Sequence, residues 1–149
     1  MSAVSPDELS LARAVVEKML AVDGFSRWLG IEVLELSPGR SVLRMTVRDE
    51  MINGFGTAHG GIAYSLADSA LAFATNTGGF ISVAMDCTIS YPAAVRSGDT
   101  LTATAIEEST TNKLAFCAVT VRNQRDVIVA HFRGTVYRTP KLHFPEGVP

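Results

Sequence analysis

The feature that most constrains the fold is an apolar segment at residues 59–76, which reads HGGIAYSLADSALAFATN. Apolar residues recur at helical spacing along it and cover nearly every side of the helix that they predict. A helix that is apolar all round must be buried. Because 149 residues allow one compact domain, we expect the rest of the chain to pack around this helix.

The segments on both sides of this helix are predicted to be β-strands. Two strand-like runs precede it, at residues 30–36 and 40–48, and four follow it, at residues 80–91, 100–108, 114–122 and 127–138. The connections between successive strands are short, which favours antiparallel pairing over helical crossovers. The sequence therefore predicts an α+β fold in which one long buried helix faces an antiparallel sheet of five to six strands.

The two ends of the chain are expected to lie outside this domain. Ser5 and Glu8 have the spacing of a capping box around Pro6, which predicts a first helix that runs to about residue 22. Three prolines fall in the last ten residues, where we expect a tail. The expected organisation is an N-terminal helix in residues 1–24, a main domain in 25–139 and a C-terminal tail in 140–149.

Composition and charge exclude several classes of protein and partner. The chain is 47% hydrophobic and 19% charged, which excludes a disordered chain or a coiled coil. A net charge of −2 gives no basic field, so neither nucleic acid nor a membrane is an expected partner. No apolar run approaches the length of a membrane span or a signal sequence, and we expect a cytoplasmic protein. Cys87 and Cys117 lack CxxC spacing and are expected to be free thiols.

Asp68 is the one charged side chain between Gly60 and Phe80, in the middle of the apolar helix. Burying an unpaired carboxylate costs several kcal/mol, so such a group has a partner, a raised pKa or a function. The alternative is that Asp68 lies on a wet stripe of the helix, which would also contain Gly61, Tyr64, Ser65 and Ala72.

The start of the same helix is the second candidate. His59, Gly60 and Gly61 stand at its N-terminus, where backbone N–H groups lack helical acceptors and can polarise a carbonyl. Asn53 and Gly54 precede it in a glycine-bearing loop. The plain alternatives are an Asn-Gly turn, a tight helix start and a histidine cap.

The spacing of these candidates predicts a two-fold dimer. Asp68 lies eight residues after Gly60, about 12 Å along a helix axis. That distance is too long for both groups to touch one reacting carbon within a single subunit. If they share a reaction, two copies of the helix lie antiparallel, so that Gly60 of one copy meets Asp68 of the other.

The motif formed by these residues resembles that of the hotdog-fold thioesterases. Residues 53–68 fit the pattern N-G-x(4)-H-G-G-x(4)-L-A-D, and residues 97–105 and 132–135 are also similar to the PaaI-like branch, named for phenylacetic acid degradation. The resemblance extends from about residue 25 to residue 138. It implies a homodimer, often paired into a homotetramer, that hydrolyses acyl-CoA thioesters, with aryl-acetyl groups favoured.

The resemblance also implies a role for each catalytic candidate. Asp68 would activate water as a general base or attack the thioester carbon as a nucleophile. The Gly60 N–H would stabilise the oxyanion. Asn53 would orient the water or the carboxylate, and His59 would support the loop. Asp68 would come from one subunit and the other three residues from its neighbour.

Substrate-binding residues are expected along the same helix and the strand that follows it. The candidates are Gly61, Phe55, Tyr64, Ser65, Ser82, Ala84 and Arg133, with Leu71 and Phe73 as further possible pocket residues. Some relatives have a serine where this chain has Ala84. Basic side chains that could bind the CoA phosphates are Arg96, Lys113, Arg133 and Arg138. No cofactor is expected beyond the CoA of the substrate, and no metal, since His59, His131 and His143 lack ligand spacing.

Three alternative functions compete with this prediction, and the sequence argues against the second and third of them. A medium-chain or broad-range acyl-CoA thioesterase would use the same motif on another acyl group. A hotdog-fold enoyl-CoA hydratase would pair a catalytic histidine with an acid and lacks the motif seen here. A non-catalytic acyl-CoA sensor would need a DNA-binding module, for which the first 28 residues are too short.

Overall fold

The computed structural model describes residues 3–149 and contains three α-helices and one six-stranded antiparallel sheet. The helices are α1 (Pro6–Val22), α2 (Gly24–Leu29) and α3 (Gly60–Asn76), and the strands are β1 (Glu32–Ser37), β2 (Arg40–Thr46), β3 (Phe80–Ser90), β4 (Thr100–Thr110), β5 (Leu114–Arg122) and β6 (Ile128–Leu142). The order in the sheet is β1-β2-β4-β5-β6-β3. The predicted α+β hotdog architecture is confirmed.

The helix α3 is the centre of the core, as its apolar sequence predicts. It packs against β2, β3, β4, β5 and β6, so that the sheet wraps around it. Leu71 and Phe73, considered above as pocket residues, are each 1% exposed and belong to this core. No helix in the described part of the chain is long and apolar enough to cross a bilayer.

Gly134 on β6 lets the sheet approach α3 closely. A Cβ built on Gly134 would lie 2.1 Å from Cδ1 of Leu71 and 3.3 Å from Sγ of Cys87. No real side chain tolerates the first distance. The contact therefore limits how closely α3 and β6 approach each other at this point.

The N-terminal helix forms as its capping box predicts. The Ser5 hydroxyl accepts from the Glu8 N–H at 3.2 Å, and the Glu8 carboxylate accepts from the Ser5 N–H at 2.8 Å. The short helix α2 was not predicted. It is capped by Asp23, whose Oδ1 accepts from the Ser26 N–H at 2.9 Å, and it ends at Gly30 with φ of +75°.

The tail expected at residues 140–149 begins later than predicted. β6 continues through Pro140 to Leu142, which pairs with Phe80 at the start of β3. After it, the His143 N–H donates to the Gly79 carbonyl at 2.9 Å, and its ring lies 2.7 Å from Oδ1 of Asn76. The C-terminal segment thereby closes the end of the fold at which α3 terminates.

Strand β3 forms an open edge of the sheet. Within residues 3–149 it pairs with β6 alone, although it is 11 residues long. Val83 and Met85 on this strand are 51% and 63% exposed. A long edge with exposed apolar residues is a surface that pairs readily with another strand.

Candidate active site

The N-terminus of α3 presents one free backbone donor. His59 is the N-cap, and its Nδ1 accepts from the Gly61 N–H at 2.9 Å. Neutral His59 therefore carries its proton on Nε2. The Gly60 N–H has no acceptor among residues 3–149. The cap thus satisfies the second N–H of the helix and leaves the first available at the positive end of the helix dipole.

Tyr91, the first residue after β3, contacts the start of α3. Its hydroxyl donates to the Gly60 carbonyl at 2.9 Å. A Cβ built on Gly60 would lie 3.1 Å from both Cζ and Oη of Tyr91, so glycine is the residue that fits here without displacing the ring. The sequence reasoning missed Tyr91, because a tyrosine at a strand end carries no local signal that it will meet residue 60.

A cavity of about 310 Å³ opens at the start of α3, with Gly60 among its lining residues. It is lined by Thr57, Ala58, His59, Gly60, Ala63, Tyr91, Pro92, Ala93, Ala94 and Val95. Most of these side chains are apolar or small, and the polar groups gather at the helix start. A carbonyl oxygen placed in this cavity would meet backbone N–H donors in a partly apolar setting, where such donors act most strongly.

Asn53 holds the loop before α3 through its side-chain carbonyl. Oδ1 accepts from the N–H of Phe55 at 2.9 Å and from the N–H and hydroxyl of Thr57, both at 3.4 Å. The Asn-Gly turn is therefore present. The Asn53 amide NH₂ makes no hydrogen bond within the described residues and is the part of the side chain left to act on a substrate or water.

Phe55 stands at the tip of the same loop and is 94% exposed. Its neighbours Gly54 and Gly56 have nothing within 4 Å of a built Cβ. In a single chain, Phe55 contacts no pocket. An aromatic side chain this exposed, on a loop that hydrogen bonds fix, is suited to pack against a second molecule.

Asp68 lies half-buried on α3, one turn after Tyr64 and two turns after Gly61. Burial alone raises its pKa above the ordinary value of 3.8, and no hydrogen bond or cation of the described chain offsets this effect. A carboxylate with a raised pKa is a stronger base, and without a partner it keeps all its lone pairs for a proton or a carbon centre.

Tyr64 and Cys87 lie close to Asp68. The Asp68 charge contributes to the raised pKa of both, although burial is the largest cause for each. The Tyr64 ring packs edge-on against Phe132 with centroids 5.2 Å apart. The next residue on α3 is Ser65, whose hydroxyl donates to the Gly61 carbonyl at 2.6 Å. Both cysteines are free, as predicted.

The structure does not bring Asp68 to the cavity at the helix N-terminus. His59 and Gly60 line that cavity and Asp68 does not. The two halves of the predicted chemistry therefore lie apart within one chain, as the eight-residue spacing requires.

The three candidates on the sheet lie in different environments. The Ser82 N–H and carbonyl are both bound by the Asn76 side chain, at 2.9 and 3.2 Å, near the end of α3. Ala84 is exposed and pairs with Val136.

Arg133 lies between Phe132 and Gly134, which face α3, so its side chain points to the opposite face of the sheet. There it meets Glu108 at 3.4 Å, away from Asp68 of the same chain.

The basic candidates for CoA binding are also spread over the molecule. Arg138 pairs with Glu107 at 3.6 Å, and with Lys113 it lines a different cavity of about 790 Å³. Arg96 is exposed and directly follows Val95, a lining residue of the cavity at Gly60. Of the four, Arg96 lies nearest in sequence to this cavity.

Within residues 3–149, no group of three His, Cys, Asp or Glu side chains is arranged to hold a metal ion.

Comparisons with known proteins identify the family of this chain. Residues 55–130 match the family model of the thioesterase superfamily. The acyl-coenzyme A thioesterase PaaI of Escherichia coli strain K12 is 39% identical over 116 residues, 78% of this chain and 83% of that protein. The structure of the E. coli PaaI protein from the phenylacetic acid degradation operon has a TM-score of 0.88 and 35% identity, over 90% of this chain and 97% of that one. The structure of smu.793 from Streptococcus mutans UA159 bound to acetyl-CoA has a TM-score of 0.73 and 27% identity, over 75% and 90%.

Proposed function

Because this chain belongs to the thioesterase superfamily and is a PaaI-like acyl-CoA thioester hydrolase, we propose that it hydrolyses aryl-acetyl-CoA thioesters of the phenylacetyl or hydroxyphenylacetyl type. The similarity to a protein of a phenylacetic acid degradation operon supports this acyl group. The observation that carries the mechanism is the free N–H of Gly60, a residue that lines a cavity at the N-terminus of α3.

Gly60 acts on the thioester oxygen in this mechanism. Its N–H lies at the positive end of α3 and donates to the oxygen as negative charge develops on it. A thioester carbonyl has less resonance stabilisation than an amide, so one such donor and one carboxylate suffice without a full triad. The Asn53 amide NH₂ orients the water or the carboxylate, and His59 keeps the loop in place through its bond to Gly61.

Asp68 supplies the base or the nucleophile. As a base, it takes a proton from water while the water oxygen attacks the carbonyl carbon, and the C–S bond then breaks to release CoA thiolate. As a nucleophile, it forms a mixed anhydride with release of CoA thiolate, and water then cleaves the anhydride to restore the carboxylate. The raised pKa of Asp68 favours both routes, since each requires a basic carboxylate.

The active unit in this proposal is a homodimer with two shared sites, and two such dimers pair into a homotetramer. The open β3 edge and the exposed Phe55 are the surfaces that support it. In the dimer, Asp68 of one subunit meets Gly60 and Asn53 of the other, and Phe55, Tyr64, Ser65, Gly61, Ser82 and Ala84 surround the acyl group. Arg96, which directly follows a lining residue of the Gly60 cavity, binds the CoA phosphates in this proposal. Arg133 lies on the outer face of the sheet and contacts a CoA molecule only where another subunit brings one there. The enzyme acts in the cytoplasm.

A thiol-release assay over a series of acyl-CoAs tests the substrate. The series contains phenylacetyl, hydroxyphenylacetyl, benzoyl and straight-chain acyl-CoAs. The aryl-acetyl compounds are expected to give the highest kcat/KM. Faster release from medium-chain compounds would transfer the assignment to a broad-range thioesterase. Hydration of crotonyl-CoA without any thiol release would contradict hydrolysis itself.

The same assay on Gly60→Pro, with Gly60→Ala as the matched control, tests the oxyanion donor. Proline fits the first helical position, and His59 already has the extended backbone, φ −56° and ψ 134°, that a following proline requires. Both variants add a Cβ, but only proline removes the N–H. We expect Gly60→Pro to lose about 10²-fold in kcat beyond Gly60→Ala. Equal kcat in the two variants would rule out the Gly60 N–H as the donor.

A further inference from the structure

Tyr91 touches the residue that we propose to bind the thioester oxygen. Its hydroxyl donates to the Gly60 carbonyl at 2.9 Å, and Tyr91 and Gly60 line the same cavity. Burial raises the pKa of the Tyr91 phenol, so the hydroxyl stays protonated and remains a donor at neutral pH. No helical or turn pattern requires this bond, because Tyr91 lies 31 residues from Gly60.

The peptide unit between Gly60 and Gly61 is held at both ends. Its carbonyl oxygen accepts from Tyr91 at 2.9 Å, and its N–H donates to Nδ1 of His59, also at 2.9 Å. Since neither glycine has a Cβ, this peptide would rotate at little steric cost without those partners. The two hydrogen bonds therefore add to the helical hydrogen bonds of α3 in holding this peptide in place.

We propose that Tyr91 is a positioning residue for thioester hydrolysis. By fixing the Gly60–Gly61 peptide it holds the backbone of Gly60, and so orients the adjoining His59–Gly60 peptide, whose N–H we propose to bind the substrate oxygen. This inference rests on the proposed role of Gly60. Donation to the carbonyl also polarises the peptide and strengthens its N–H as a donor to His59. Tyr91 thus stabilises the histidine cap, and the aim of the oxyanion donor depends on all three residues.

The variant Tyr91→Phe removes the hydroxyl and keeps the ring against Gly60. Because positioning acts on the transition state, we expect kcat to fall about three- to tenfold, the range of one net hydrogen bond, with KM within about twofold. Tyr137→Phe is the matched control. Tyr137 is half-buried on β6, where it lines the cavity at Lys113, and loss of its hydroxyl is expected to leave kcat unchanged.

A second measurement follows the peptide itself. In protein labelled with ¹⁵N-glycine, the Gly61 amide is expected to exchange with D₂O several-fold faster in Tyr91→Phe than in the wild type or in Tyr137→Phe, since its bond to His59 weakens. Unchanged exchange at Gly61 would overturn the proposal, even if kcat fell. An unchanged kcat, or a raised KM alone, would overturn it too, the latter because it indicates direct substrate contact.

The exchange measurement separates this inference from the proposed function. If the wild-type protein released thiol from none of the acyl-CoAs, the assigned reaction would fail. The effect of Tyr91 on the Gly61 amide would still be measured. If the wild type is active and both readouts of Tyr91→Phe match it, the reaction stands and the role of Tyr91 is wrong.

Discussion

At the scale of single residues, Asp68 has the environment that a buried catalytic carboxylate needs. Its neighbours on α3 are mostly apolar, and no cation or hydrogen-bond donor of residues 3–149 offsets the burial that raises its pKa. A structural carboxylate is normally paired when it is buried. We therefore expect Asp68 to act on a substrate or water molecule rather than to pair with another side chain. Experiments can distinguish this catalytic role from that of a carboxylate in a stabilising ion pair.

Replacing Asp68 is expected to lower activity and raise stability at neutral pH. Because its folded-state pKa is above the ordinary 3.8, the folded chain binds more protons than the unfolded chain between the two pKa values. The free energy of unfolding then falls as pH rises through that window, and the wild type carries the deficit at pH 7. Asp68→Asn removes it, so its Tm should exceed that of the wild type at pH 7 and converge with it as pH falls below 3.8, where Asp68 is protonated in both states.

Activity provides the other half of this test. Asp68→Ala and Asp68→Asn are expected to lose at least ~10² in kcat, the scale of a main catalytic group. Asp126→Asn is the matched control, since Asp126 is an exposed carboxylate in the turn between β5 and β6, away from the proposed site and dimer edge. Turnover of the best acyl-CoA at the wild-type rate by Asp68→Ala would remove Asp68 from the mechanism.

At the scale of elements, one contact limits how closely α3 and β6 approach each other. Leu71 packs directly on the backbone of Gly134. Leu71 is 1% exposed and surrounded by core, so its methyl group cannot move into solvent to admit a larger residue. The helix and the sheet must separate if position 134 gains a side chain.

Gly134→Ala is therefore expected to destabilise the fold by about 1–3 kcal/mol through overpacking, measured by urea unfolding. Gly78→Ala is the control, because a Cβ built there meets nothing within 4 Å. The double variant Gly134→Ala with Leu71→Ala should lose less stability than the sum of the two single changes, since the alanine at 134 fills space that Leu71 vacates. Additive effects would show that the two residues do not limit the packing distance.

At the scale of the whole molecule, one chain holds two incomplete half-sites. The cavity at Gly60 lacks Asp68, β3 leaves an open edge with exposed apolar residues, and Phe55 projects into solvent. A two-fold dimer that pairs these surfaces would complete both sites at once. Sedimentation is expected to give a dimer or larger, and a stable monomer with full activity would contradict the shared site.

Mixing two inactive variants tests this arrangement directly. In a dimer of one Asp68→Ala chain and one Gly60→Pro chain, one shared site carries both changes and the other carries neither. After subunit exchange in an equal mixture, half of the dimers are mixed and half of their sites are intact, so activity is expected to recover to about a quarter of the wild type. Each variant exchanged with itself is the control. No recovery, with mixed dimers demonstrated by mass spectrometry, would place Gly60 and Asp68 in a site within one chain.

Local sequence patterns predicted most elements of the fold but missed α2 and the end of β6. α3 and the six strands have a strong period or alternation, and the Ser5 capping box is contained in four residues. α2 is six residues long and too short to show a period. The end of β6 was missed because Pro140 normally terminates a strand. It is accommodated at an irregularity, where residues 138–142 of β6 lie opposite 80–82 of β3.

The buried helix, the antiparallel sheet and the motif from Asn53 to Asp68 could be predicted because periodicity, caps and motif spacing are properties of neighbouring residues. The edge position of β3 beside β6, the outward direction of Arg133 and the bond between Tyr91 and Gly60 became known with the folded chain. These facts depend on which distant segments pack together, and packing is set by the summed burial of the whole core rather than by any local pattern.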